Sequence, residues 1–208
     1  MRIGILGSGL MGAKLGTIFA RAGHEVAFSY SRSERKLRRL AREAGARARA
    51  GTPREAARDA DAVLLAVNWP RLDDVLKQAG SLAGTVVVSC VMPIGVDVSG
   101  TSGAEILARR LRGAHFVSAF GTVPSEVLFD VFEARRRAKR PSMIYCGNDR
   151  RAKKVAVELI RDAGFEPIDA GPLRIARHAE PFTHLIAQLA YEGSRGPELS
   201  YRLEWHGR

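Results

Sequence analysis

Two periodicities alternate along this chain. The apolar run Ile3 to Leu6 is followed by Leu15, Ile18, Phe19 and Ala22 at helical spacing, closed by Gly23. The first predicts a buried strand, the second a helix over 10–22. The pairing then repeats. A strand is expected at 24–29, a helix at 33–44 with Leu37, Leu40, Ala41 and Ala44 on one face, and a weak strand at 46–50. Thr52-Pro53-Arg54-Glu55 opens a short helix, and the continuous apolar stretch Asp61 to Val67 reads as a strand inside a parallel sheet. Further strands are expected at 85–89, 115–119, 142–146 and 165–168, and helices at 70–79, from Ser102, at 149–163 and at 180–191. Alternation of this kind predicts an α/β fold, a doubly wound and mostly parallel sheet with a small C-terminal α/β extension. Residues 1–123 would form the main domain and 124–208 a small lobe packed on it, with a tail from about 192 in which Leu199 to Trp205 alternates enough to serve as an arm against a neighbour.

The turn between the first strand and the first helix reads Gly7-Ser8-Gly9-Leu10-Met11-Gly12, a Gly-x-Gly-x-x-Gly spacing. In a strand-turn-helix context each glycine has a mechanical task. Gly7 permits the tight turn, Gly9 lets the backbone approach a pyrophosphate, and Gly12 lets the helix lie close on the sheet. An ordinary strand-to-helix connection uses such glycines too, but a β-α-β unit of about 30 residues is what the Rossmann fingerprint requires. A dinucleotide is therefore the expected ligand, its pyrophosphate at the helix N-terminus.

The residues just past the second strand bear on which dinucleotide. Selectivity for NAD usually places an acid there to accept from the ribose 2′-hydroxyl. This chain has Phe28-Ser29-Tyr30-Ser31-Arg32-Ser33-Glu34-Arg35-Lys36, with no acid in the expected place. Ser31 can donate a hydroxyl and Arg32 a two-pronged charge to a 2′-phosphate, with Lys36 a turn further on, so NADP is expected. Ser31 with Glu34 also spells a capping box, and both roles can hold at once. Asn68-Trp69-Pro70 and Cys90-Val91-Met92-Pro93 leave strands at the edge where ligands lie in open parallel sheets, and they are expected to flank the nicotinamide; Trp69 and Met92 can equally be core filler.

Length and charge narrow the classes. A chain of 208 residues can bury roughly 70% of its unfolded surface and needs no staples. Its two cysteines, Cys90 and Cys146, sit in apolar surroundings and fit a reduced cytoplasmic protein; no leader and no membrane span are expected. The net charge of +11 is spread over helix faces except at Arg135-Arg136-Arg137-Ala138-Lys139-Arg140. Without interleaved aromatics or a recognition module, that run points to an anionic small ligand or an exposed loop rather than nucleic acid. No metal site is expected.

Hydroxyacid dehydrogenases append a substantial helical substrate domain, and only about 35 residues follow Gly171. A flat redox partner that needs no acid from the protein suits the chain better, because the cofactors then carry the chemistry and no catalytic side chain is required. The residues resemble one family. Gly7-Ser8-Gly9-Leu10-Met11-Gly12, Ser31-Arg32 with Lys36, Leu65-Ala66-Val67, Ala119-Phe120-Gly121-Thr122, Cys146-Gly147-Asn148-Asp149, Asp169-Ala170-Gly171-Pro172-Leu173 and Glu180-Pro181-Phe182-Thr183 are similar to the NADP oxidoreductases dependent on coenzyme F420. The resemblance implies a homodimer in which NADP lies across the sheet edge, with a deazaflavin ring stacked on the nicotinamide; the residues expected to bind the cofactor are Gly7, Ser8, Gly9, Leu10, Met11, Gly12, Ser31, Arg32, Lys36, Ala66, Val67, Asn68, Cys90, Met92, Pro93, Ala119 and Thr122. Two positions depart from the family pattern: Cys90-Val91-Met92-Pro93 lacks a polar Asn-Pro, and Gly121 replaces a larger residue. Other readings are a flavin (FMN or FAD) or ferric reductase, a non-enzymatic NADP sensor, and an imine or carbonyl reductase with His178 or His184 as proton donor.

Overall fold

A computed structural model describes residues 1–95 and 97–207. Six parallel strands form the sheet: β1 (Arg2–Leu6), β2 (Glu25–Ser29), β3 (Ala48–Ala50), β4 (Ala62–Leu65), β5 (Val86–Ser89) and β6 (His115–Ser118). They lie in the order β3-β2-β1-β4-β5-β6, so the direction of winding reverses between β1 and β4. In an open α/β sheet the crevice at that reversal is where ligands bind.

Alternate side chains explain why both faces need cover. Ile3 and Ile5 of β1, Ala62 and Leu64 of β4, and Val86 and Val88 of β5 join one buried cluster. Leu6, Val63, Leu65 and Val87 join the other. Helices supply the cover: α1 (Leu10–Arg21), α2 (Glu34–Ala44), α3 (Pro53–Ala57), α4 (Leu72–Ala79) and α5 (Gly103–Arg110) follow successive strands. Helix α6 (Leu128–Glu133), led in by a 3-10 turn at Ser125–Val127, has no counterpart among the expected elements. It buries Leu128, Val131 and Phe132, a one-sided stripe too short and too rich in β-branched and aromatic residues to read as helix from its pattern.

The C-terminal segment continues the same core. Strands β7 (Ser142–Tyr145) and β8 (Glu166–Asp169) pair in parallel, and β7 joins β6 through one antiparallel bridge between Ser118 and Cys146. Helix α7 (Arg150–Asp162) starts at Asp149, whose carboxylate accepts from the Ala152 N–H at 2.8 Å, and buries Ala152, Ala156, Leu159 and Ile160 against the cluster that holds β1. His24, 6% exposed, lies 2.8 Å from Asp162 and so fastens α7 to the start of β2.

Two expectations are corrected, and the tail finds a place on the sheet. The cap of α2 is Ser33, whose hydroxyl accepts from the Lys36 N–H at 3.3 Å; Ser31 instead accepts from the Ser33 N–H at 3.2 Å, too early in the chain to cap. The last helix, α8 (Ala176–Ala187), begins four residues before Glu180 and carries Pro181 inside it, then loosens into a π turn at Gln188–Glu192. A proline lacks an N–H to give back to the preceding turn, and the sequence therefore reads as a helix start where the helix is already under way. Residues 199–205 lie on their own chain: the Ser142 N–H donates to the Tyr201 carbonyl at 2.8 Å and the Leu203 N–H to the Ser142 hydroxyl at 2.9 Å. Among the described residues, no helix is long and apolar enough to cross a membrane.

Candidate functional site

The glycine turn is stitched to its neighbours by backbone contacts that leave no room for side chains. A Cβ on Gly7, which holds φ at +116°, would stand 2.3 Å from the Ala66 carbonyl oxygen. One on Gly12 would stand 1.8 Å from the Gly7 carbonyl oxygen. One on Gly9 would meet nothing within 4 Å. The first and third glycines thus serve the packing of strand, turn and helix, and the second faces open space. Ser8 is buried, with its hydroxyl donating to the Ser29 carbonyl at 2.8 Å and its N–H to the Tyr30 carbonyl at 3.3 Å, so this residue ties the turn to the end of β2.

Helix α1 begins without a side-chain cap. Its N-cap is Gly9, and its first turn holds no acid. By contrast α2, α3, α5 and α7 are capped by Ser33, Thr52, Ser102 and Asp149. The first backbone bond of α1 runs from Ala13 to the Gly9 carbonyl at 2.9 Å, which leaves the N–H groups of its first turn without helical acceptors. Their partial positive charge adds to the helix dipole at this point.

From this turn a cleft of about 950 Å3 runs along the sheet edge. It brings together Gly7, Ser8, Gly9, Ser31, Arg32, Lys36, Ala66, Val67 and Asn68. Arg32 is exposed, and neither it nor Lys36 enters an ion pair among the described residues. The acids nearby are engaged elsewhere. Glu34 pairs with Arg38 at 3.1 Å, and Glu55 completes a capping box with Thr52, whose backbone and side chain hold its carboxyl below the usual range. Ser31 accepts from Ser33 and keeps its own proton to donate. The mouth of the cleft therefore offers Arg32, Lys36 and the Ser31 hydroxyl to an anion, with Glu34 paired to Arg38 and Glu55 held in its capping box.

The remaining expected residues stand beside the cleft rather than in it. Leu10 is the first residue of α1 and is 69% exposed; Met11 is half-buried against the core. The ladders pair Leu65 with Ser89 and Ser89 with Ser118, so Ala66, Cys90 and Ala119 leave the sheet level with one another. Ala119 is buried, and its N–H donates to the Ser89 carbonyl, so it belongs to the core. The Cys90 thiol lies 3.4 Å from the Leu65 carbonyl, and burial pushes it up to about 12, which leaves it inert as a nucleophile. Pro93 and Trp69 close on Gly103 at the start of α5, where an added Cβ would stand 2.9 Å from each. Met92 sulfur would be 3.5 Å from a Cβ on Gly121. The Thr122 hydroxyl is bonded to Tyr201 at 2.7 Å.

The Glu180-Pro181-Phe182-Thr183 motif has a structural task that its sequence does not announce. Glu180, 7% exposed, accepts from the N–H groups of Gly103 and Ala104 at 2.9 Å each, and so ties α8 to the N-terminus of α5 beside Pro93 and Trp69. Burial raises its carboxyl above the usual value, against the lowering effect of those two donors. Glu180→Gln turns an amide N–H toward one backbone donor, and is expected to cost about 1–3 kcal/mol in a denaturant melt. Next to it, hydrogen bonds from Arg177 hold Glu105 at about 2. A depressed carboxylate stabilises the fold above its unfolded value of 4.5 and loses that contribution as pH falls toward 2, whereas the raised Glu180 acts in the opposite sense. Melts in this acid range should therefore fall more steeply with pH in the wild type than in Glu105→Gln.

Sequence reasoning missed Tyr30, Arg71, Asp74 and Gln78, which also line the cleft. Arg71, Asp74 and Gln78 form a polar stripe at helical spacing, but only the adjacency of β1 and β4 reveals what that stripe faces.

Comparison with known proteins shows what the chain is similar to. The family described as NADP oxidoreductase, coenzyme F420-dependent, matches residues 2–93. The F420-dependent NADP reductase of Methanocaldococcus jannaschii is 30% identical over 148 residues, 65% of this chain and 65% of that protein. Metalloreductase STEAP3 of Rattus norvegicus is 28% identical over 181 residues, 86% of this chain but 36% of the relative. The chain thus spans less than two thirds of the length of either protein. A crystal structure from Arthrobacter sp., provisionally assigned as an F420-dependent NADP-reductase, superposes with a TM-score of 0.83 over 99% of this chain and 100% of that one at 21% identity, which shows a shared fold. Residues 2–93, which hold the glycine turn and the Ser31-Arg32 corner, are thus the part of the chain that is similar to the NADP oxidoreductase, coenzyme F420-dependent, family.

Proposed function

We propose that the chain binds NADP(H) along the 950 Å3 cleft and passes hydride between its nicotinamide and a flat redox ring, a deazaflavin of the coenzyme F420 type or a flavin. The observation that carries this reading is the pairing of two anion sites in one cleft. The uncapped N-terminus of α1 suits a pyrophosphate, and the unpaired Arg32 with Lys36 and Ser31 suits a 2′-phosphate. Bound there, the cofactor would supply the transferable hydride. The protein's part is to grip the two phosphate groups, to hold the nicotinamide end against the level strand exits at Ala66, Cys90 and Ala119, and to offer an apolar rim to a second ring. Exposed Leu10 and Ile94, 69% and 73% accessible at that edge, suit such a rim. Proximity alone can contribute about 7–11 kcal/mol to a transfer between two held reactants.

We further infer that two copies pair through α8 and the tail, which expose Leu185, Leu189, Tyr191, Leu203 and Trp205; light scattering of the purified chain tests it. For the activity, NADPH oxidation is followed by absorbance against coenzyme F420, FMN, FAD, ferric chelates and small imines. Rapid oxidation with the deazaflavin is the expected result. The likeness to a metalloreductase supports ordinary flavin or ferric iron as the second reading, which turnover with those acceptors alone would favour. Tight binding with no oxidation of NADPH by any acceptor would favour a sensor and contradict both.

A further inference from the structure

The cleft also carries a constellation that the phosphate reading does not use. The strand order places the loop after β2 and the loop after β4 on either side of β1. Tyr30 comes from the first, and Arg71, Asp74 and Gln78 from the second and the helix it leads into, and all four line the cleft. The Tyr30 hydroxyl donates to Asp74 Oδ2 at 2.6 Å, and Gln78 Nε2 donates to Asp74 Oδ1 at 3.1 Å. Tyr30 holds φ at 60°, a left-handed conformation that costs an aromatic residue about 1–3 kcal/mol and persists where the surroundings impose it. Its ring is therefore set across the cleft by the turn out of β2 and by the bond to Asp74.

A carboxylate close to a phosphate pocket works against the anion, so its presence needs another reason. The hydrogen bonds from Tyr30 and Gln78, with Arg71 nearby, hold Asp74 below the usual carboxylate range, so at neutral pH it offers acceptors only. A side-chain amide beside it offers a donor and an acceptor. An adenine edge is the complement of this pair, an exocyclic amine that donates next to a ring nitrogen that accepts. A purine with oxygen at that position turns an acceptor toward the carboxylate.

We propose that Asp74 and Gln78 read the 6-amino group of the purine, so that the cleft selects adenine dinucleotides over 6-oxo purine dinucleotides, with the Tyr30 hydroxyl holding the carboxylate in place until the amine takes it over. This rests on the NADP reading given above. It makes Asp74 a specificity-determining residue for the base, separate from the Arg32 corner that selects the ribose phosphate.

The test uses adenosine 2′,5′-bisphosphate and inosine 2′,5′-bisphosphate, which carry the same phosphates and differ at position 6. Calorimetric titration of the full chain should show the adenosine compound binding about tenfold more tightly, the lower part of the range for one such base contact. Asp74→Asn, which keeps the side-chain volume at an exposed helix position and can donate to an oxo group, should bring the two within about twofold. Tyr30→Phe should keep the preference. Equal binding of both compounds to the wild type overturns the proposal while leaving the phosphate grip intact, as does a preference that survives in Asp74→Asn or disappears in Tyr30→Phe. Failure of the wild type to bind either compound removes the dinucleotide reading and the proposal together.

Discussion

Gly9→Ala should leave thermal stability unchanged and weaken NADP binding by about ten- to a hundredfold, whereas Gly12→Ala should destabilise the fold itself by about 3 kcal/mol. The difference lies in what each new methyl group meets. At Gly9 the backbone is extended, with φ at −72°, and an added Cβ has nothing within 4 Å. The chain folds, and the methyl group stands in the approach to the uncapped turn of α1, where charged hydrogen bonds worth about 1.5–3 kcal/mol each would otherwise form. At Gly12 the Cβ would lie 1.8 Å from the Gly7 carbonyl oxygen and 3.2 Å from Ala66 Cβ. Neither a backbone oxygen nor a strand exit packed on the core can move aside, so α1 must lift from the sheet. A melt of both variants beside a titration with NADP separates the two effects, and a large loss of stability in Gly9→Ala would contradict the open space assigned to that position.

Arg32→Ala should weaken NADP by about 1.5–3 kcal/mol, roughly ten- to a hundredfold, and NAD hardly at all. Arg32 is exposed, lines the mouth of the cleft and enters no ion pair among the described residues, so its removal breaks nothing in the ligand-free fold. Its planar fork suits the three oxygens of a phosphate. Lys36, half-buried a turn further on, adds a point charge, and Ser31 a hydroxyl. Competition titrations with NADP and NAD on wild type and variant read the effect, and equal losses for the two cofactors would deny Arg32 its place at the 2′-phosphate.

The sheet was legible because its strands are buried on both faces. Runs such as Ala62 to Leu65 and Val86 to Ser89 admit few other readings, and glycines at 7, 9 and 12 mark the turn that the dinucleotide site requires. Capping was legible to within two residues: Ser31 and Ser33 are both plausible acceptors, and only the backbone geometry places the helix start after Ser33. Helix α6 and the true start of α8 were not legible, since one is six residues long and the other runs through Pro181. The site divided along the same line. Residues contributed by a single strand-turn-helix unit, Gly7 to Gly12, Ser31, Arg32 and Lys36, can be named from the local pattern. Residues that face them from another unit, Tyr30 against Asp74 and Glu180 against Gly103, depend on contacts between positions 44 and 77 apart, and local pattern carries no record of those. Thr122 illustrates the reverse case. It stands at a strand exit as expected, yet its hydroxyl is engaged by Tyr201, 79 residues later.

Calorimetric titration of the unmodified chain with NADP and with NAD, in the same buffer and salt, bears most directly on the claim that this cleft grips a 2′-phosphorylated dinucleotide. The account predicts that NADP binds at least about tenfold more tightly, as one charged contact to the extra phosphate requires. Equal affinities, or tighter binding of NAD, would contradict it.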